Sequence, residues 1–102
     1  MYSKIYNLKF TSITEAKIGV SFLSEEIGGA IMESNIASLS ILLDKEGLVV
    51  VTIRFDTLED MNQFVKRKFE VFDSLKMSFS LRYSERSAVA VYTFDREASS
   101  VT

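Results

Sequence analysis

Tyr6, Tyr83, Glu15 and Asp60 are the polar side chains of this sequence that could take part in catalysis, two as phenols able to hold an oxyanion and two as carboxylates able to accept a proton. The chain contains no histidine, so the commonest general base, proton shuttle and zinc ligand is missing. It contains no cysteine, which removes thiol nucleophiles, thiolate metal sites and disulfides. No metal or cofactor motif is found, and the four polar residues have plainer uses. Ser12 stands three residues before Glu15, the spacing of a helix capping box, and Asp60 lies in the first turn of a second helical pattern. The tyrosines sit in alternating segments and belong in a core with their hydroxyls bonded. The residues therefore predict a protein that is not an enzyme.

The elements that would position these groups follow from periodicity. Lys4 to Phe10 alternates as a strand, and Ile13, Ala16, Val20, Leu23 and Ile27 mark the buried stripe of a helix that Gly28-Gly29 bends or interrupts. Ala37 to Leu43 and Leu48 to Phe55 form a hairpin around Asp44-Lys45-Glu46-Gly47. Asp56-Thr57 caps a second helix with the stripe Leu58, Met61, Val65, Phe69, Phe72 and Leu75. Met77 to Tyr83 and Ala88 to Phe94 read as a second hairpin around Ser84 to Ser87.

The chain also repeats itself. Leu8 to Ala16 returns as Ile53 to Met61, and Ser38 to Ile41 with Leu48 to Val51 returns as Ser78 to Leu81 with Ala88 to Val91. An internal duplication follows, with repeat 1 over about 4–55 and repeat 2 over about 48–94 sharing a strand. Two right-handed βαβ units interleaved in one sheet give an α+β ferredoxin-like βαββαβ layout, strand order 4-1-3-2, with an additional C-terminal strand and helices on one face of an antiparallel sheet. At 102 residues the chain supports one core, so 1–95 is read as a single domain and 96–102 as a frayed tail.

The face away from the helices carries small and apolar residues on every strand, too mixed for a purely wet surface. Arg54, Arg82, Tyr92 and Phe94, with Leu42, Val50 and Asn7, are the candidate partner-binding residues there, because Arg and aromatics carry disproportionate binding energy. The expected function is a non-catalytic protein or peptide interaction module, acting through that face, an edge strand or the groove between repeats, with a homodimer as one outcome. A small-molecule sensor or cofactor-free enzyme is the alternative. A net charge of −2 and a pI near 5.1 argue against nucleic acid as a partner, and no apolar run is long enough for a membrane span. No signal peptide is read at the N-terminus.

The layout resembles several families. RNA-recognition domains share it, but they stack bases on aromatics where this chain has Asn7, Val50 and Thr52. Acylphosphatases and ACT domains are similar in topology, yet Phe10-Thr11-Ser12 offers neither an Arg-bearing phosphate loop nor a Gly-bearing ligand loop. Small α+β-barrel dimers, including cofactor-free monooxygenases, are similar in topology and in using the open face. In length, composition and the doubled Lys9-Phe10 and Arg54-Phe55 segments the chain resembles small orphan proteins of filamentous viruses infecting hyperthermophilic archaea. That resemblance implies a host-cytoplasmic or virion-associated location.

Overall fold

Period-two burial in the first residues starts a sheet, and the chain then alternates between strands and helices. The computed structural model describes residues 1–96. In order they form β1 (Tyr2–Lys9), α1 (Ile13–Gly28), β2 (Ile36–Leu43), β3 (Leu48–Phe55), α2 (Leu58–Arg67), α3 (Phe69–Ser78) and β4 (Arg82–Val89). The four strands make one antiparallel sheet in the order β2-β3-β1-β4, which is 4-1-3-2 counted from the β4 edge. This is a ferredoxin-like α+β fold with three helices.

Local chemistry explains the boundaries. Ser12 caps α1 by accepting the Glu15 amide N–H at 3.1 Å, and Thr57 caps α2 by accepting that of Asp60 at 3.1 Å. Glu15 does not complete a capping box; its carboxylate instead accepts the Thr11 hydroxyl at 2.6 Å. After Gly28 the chain makes tight turns to Asn35, which adopts φ 53°, a left-handed conformation Asn tolerates. In the β2–β3 hairpin the Asp44 carboxylate accepts the amides of Glu46 and Leu48, while Gly47 takes φ 89°.

One face of β1 (Tyr6, Leu8) and of β3 (Val49, Val51, Ile53, Phe55) is fully buried, with Phe10 just beyond β1, beneath Ala16, Leu23 and Ile27 of α1, Met61 and Phe64 of α2, and Val71, Phe72 and Leu75 of α3. All three helices contribute to this single cluster, leaving the other sheet face without a helix. Gly19 of α1 is part of the fit: a Cβ there would lie 2.5 Å from Phe10 Cζ, and that ring is held edge-on against Phe79 at 5.4 Å.

The second half departs from the expected layout. The single helix expected from Leu58 onward breaks at Lys68 (φ −103°, ψ 12°), and the break resets the stripe, so Phe64 is buried while Phe69 is 60% exposed. Of the strand expected over Met77 to Tyr83 only Arg82 and Tyr83 are extended, as the start of β4, after the end of α3 and a connector, and the expected turn at Ser84 to Ser87 lies inside β4. No fifth strand forms at Ala88 to Phe94 among the described residues. Pairing with β1 decides this, because β4 sets Glu85 beside Tyr6 and Ser87 beside Lys4, with a Lys4 Nζ–Glu85 Oε1 ion pair of 2.9 Å. A one-residue slip would bring Arg86 to the buried ammonium instead. At the 45-residue offset Leu8 and Ile53, and Phe10 and Phe55, are buried alike, and Ser12 and Thr57 both cap helices. The 40-residue offset sets Ser38 to Ile41 of β2 against Ser78 at the end of α3 and the connector after it. The tail expected over 96–102 lies, from residue 97 onward, outside the described residues.

The Gly19–Phe10 contact gives a stability prediction. Overpacking costs about 1–3 kcal/mol, against a helix-propensity gain of up to about 1 kcal/mol. Gly19→Ala should thus lower the thermal midpoint followed by circular dichroism. Gly28→Ala, whose Cβ would meet nothing within 4 Å, should leave it unchanged or raise it.

Candidate functional site

Tyr6 and Tyr83 are brought together; Glu15 and Asp60 are not. β1 and β4 run side by side, so Tyr6, Tyr83 and Glu85 project from the helix-facing side of the sheet toward α3. There Phe72 and Lys76, one helical turn apart, cover them. Tyr6 stacks on Phe72 with ring centroids 3.8 Å apart and 12° between planes, and Tyr83 closes an aromatic triad at 6.3 Å from each. With Val65 and Phe69 these residues line a recess of about 80 Å³ between α2, α3 and the β1–β4 pair. Glu15 and Asp60 stay at the helix starts, Asp60 accepting a bond from the Asn35 amide at 3.2 Å.

A polar network runs along the floor. The Tyr83 hydroxyl donates to Glu85 Oε2, while Glu85 Oε1 pairs with Lys4, whose side chain is 9% exposed. Lys4 also lies 5.8 Å from the Tyr6 ring centroid, and Lys76 Nζ sits 4.3 Å above that of Tyr83. The Tyr83 hydrogen bond, followed by the Lys4 contact, holds the Glu85 carboxyl below its usual range. Burial is the main cause that pushes both phenols upward, helped for Tyr83 by its bond to Glu85 and for Tyr6 by the Glu85 charge. Both therefore stay protonated at neutral pH, as donors. Tyr83 spends its proton on Glu85. The Tyr6 hydroxyl has no hydrogen-bond partner among the described residues and is not among the buried unbonded atoms, so it meets solvent at the recess although the residue as a whole is 2% exposed.

Glu85, Lys76 and Lys4 were not anticipated as members of a site. Glu85 falls in the turn expected at Ser84 to Ser87, and the sequence pattern assigns no role to Lys76. A signal was present in the alternation of Lys4 with Tyr6 and of Tyr83 with Glu85, which puts each pair on one side of a strand.

The candidate partner-binding residues divide. Leu42, Val50 and Asn7 are successive cross-strand neighbours on the open face, with Arg54 farther along β3 and Arg82 beside Lys9. Arg54 Nε is buried without a hydrogen-bond partner among the described residues. Tyr92 and Phe94 lie beyond β4, 86% and 77% exposed, and are not on the sheet. Among the described residues, no group of three or more His, Cys, Asp or Glu could hold a metal ion, and no helix is long and apolar enough to cross a membrane.

No protein-family model matches the chain, and no curated protein is similar to it in sequence. Solved structures do match. A proposed antibiotic biosynthesis monooxygenase from Deinococcus radiodurans superposes with a TM-score of 0.77 at 16% identity, covering 93% of this chain and 97% of the other. One from Nitrosomonas europaea gives 0.73 at 12%, covering 90% and 100%. A dimeric ferredoxin-like protein from an uncultured marine organism gives 0.69 at 16%, covering 94% and 100%. At these identities the likeness establishes the fold. It also corrects two expectations, the non-catalytic interaction module and the absence of enzyme activity. The same layout, matched over nearly its whole length, carries the name of an enzyme in two organisms, which favours the small-molecule or enzyme-type reading.

The network gives a pH prediction with a definite sign. Glu85 has a lowered carboxyl pKa in the folded state, so its stabilisation is full above the ordinary carboxylate range and is lost as pH falls through the lowered value. Asp44, lowered chiefly by the Leu48 and Glu46 amides, acts in the same direction. Chemical denaturation from neutral to acid pH should therefore show a smaller stability loss in Glu85→Gln than in the wild type, with a residual slope from Asp44. The raised phenols act at the other end, their contribution being full below about pH 10, the ordinary tyrosine value, and falling as pH rises above it.

Proposed function

We propose that this chain is a homodimeric ferredoxin-like protein of the α+β-barrel kind, a single domain over residues 1–95, that takes a small aromatic molecule with an acidic hydroxyl into the recess and acts on it. One observation carries the reading: the unpartnered hydroxyl of Tyr6, on a buried residue in the wall of a recess that Lys76 overhangs. The hydroxyl is not sealed from solvent, so an oxygen of a ligand entering the recess can accept its O–H in place of water, and the Lys76 ammonium favours the ionised form of the ligand. The Phe69 and Phe72 rings supply the apolar wall.

Size limits what enters. A cavity of about 150 Å³ is known to hold a benzene ring, so a recess of about 80 Å³ admits the edge of one unless the rim moves. Phe69 and Lys76, both exposed, form the rim that would have to move. Glu85, held by Tyr83 and Lys4 and lowered in pKa, is a poor base; its part is to orient Tyr83. Monooxygenation is the reaction class that two structural neighbours suggest, and the dimer is supported by a neighbour described as dimeric. In that dimer the open faces would meet, with Leu42, Val50 and Asn7 as a central row and Arg54 and Arg82 flanking it. The matched caps and core phenylalanines 45 residues apart support descent of the two halves from one copied unit. Nothing in the neighbours' names points to a virus.

A panel of single-ring and fused-ring phenols tests the site by ligand-observed NMR and thermal shift, with oxygen uptake as the activity readout. A binder should lose about tenfold in affinity, about 1.4 kcal/mol, in Tyr6→Phe and again in Lys76→Met. A panel without binders, or binding indifferent to both substitutions, would sink the proposal.

A further inference from the structure

We infer that residues 90–94 form a strand on a second copy of this protein, added at the outer edge of its β2. This rests on the homodimer proposed above and specifies its contact. The Ala90 N–H still donates to Met1 O at 3.1 Å, after which no described strand lies alongside the chain. The next residues, Val91-Tyr92-Thr93-Phe94, hold three large apolar side chains that are 97%, 86% and 77% exposed. They contain no charge, Pro or Gly, so the segment reads as a strand without a neighbour. The inner places of its own sheet are filled.

Charge separates the two edges that could receive it. β4 carries Arg82, Glu85 and Arg86, which discourage pairing, whereas β2, Ile-Ala-Ser-Leu-Ser-Ile-Leu-Leu, has no charged residue and exposes Leu42 at 61%. An uncharged edge of this kind is a hazard in solution unless it is covered. The uncharged arm is the matching piece. Continuing the alternation of β4 puts Tyr92 and Phe94 on the open side of the sheet, where Leu42 of β2 also lies. Tyr and Phe each bury about 150–250 Å². Two reciprocal arms, with the surface they cover, thus approach the roughly 1,600 Å² typical of a stable interface. Reciprocity closes the pair as a two-fold dimer and leaves no β2 edge free to propagate.

The chain has no native cysteine, so introduced ones report cleanly. Thr93→Cys protein is mixed with differently tagged Ile41→Cys, Leu43→Cys or Ser87→Cys protein, which lie on the same side of the sheet as position 93, allowed to exchange subunits and treated with a short bismaleimide. Links from position 93 to the β2 positions 41 and 43, and none to position 87 on β4, are expected. The double variant Tyr92→Asp, Phe94→Asp should run as a monomer in light scattering with an unchanged far-ultraviolet spectrum. A wild-type dimer that links only to position 87, or to no β2 position, overturns the arm exchange while leaving the homodimer standing. A wild-type monomer overturns both, without touching the phenol site.

Discussion

The ion pair between Lys4 and Glu85 governs the second half of the molecule. A buried ammonium carries a desolvation cost of several kcal/mol, and it is tolerated at Lys4 because Glu85 lies 2.9 Å away on the neighbouring strand. The same carboxylate accepts the Tyr83 hydroxyl, so one residue of β4 satisfies a cation and a phenol at once. That requirement selects the register of β4. With the register set, Tyr83 falls opposite Leu8 and next to Tyr6, the aromatic triad closes under α3, and the recess exists.

Much of the architecture was legible in the residues. The caps Ser12 and Thr57, the alternation of β1 and β3, and the Asp44 to Gly47 turn each have one dominant local cause, and each stands where that cause puts it. The errors gather where local preference and tertiary demand disagree. Ser78-Phe79-Ser80-Leu81 alternates like a strand, but Phe79 is drawn onto Phe10 at the end of a helix. Ser84-Glu85-Arg86-Ser87 is polar enough for a turn, but the buried charge of Lys4 pulls Glu85 into the sheet. Neither pull can be read from its own segment, since the partners lie about 70 to 80 positions away in the chain.

The site follows the same division. The two tyrosines were identifiable as phenols that could matter, but a core role with bonded hydroxyls was the simpler reading, and it describes Tyr83 better than Tyr6. Glu85 and Lys76 gain their significance only from the packing of α3 over β4. A protonated phenol and an ammonium beside an apolar wall can hold an oxyanion without an imidazole or a thiol.

The break at Lys68 has an energetic consequence for the roof of the recess. It divides one span into two helices of ten residues each, and a piece that short is marginal in water by itself. α3 stays helical because Val71, Phe72 and Leu75 are anchored in the core, with no side-chain cap at its start. It is thus the layer most ready to detach as a unit, with an opening free energy below that of the sheet, and amide exchange along it would outpace that of β1 and β3.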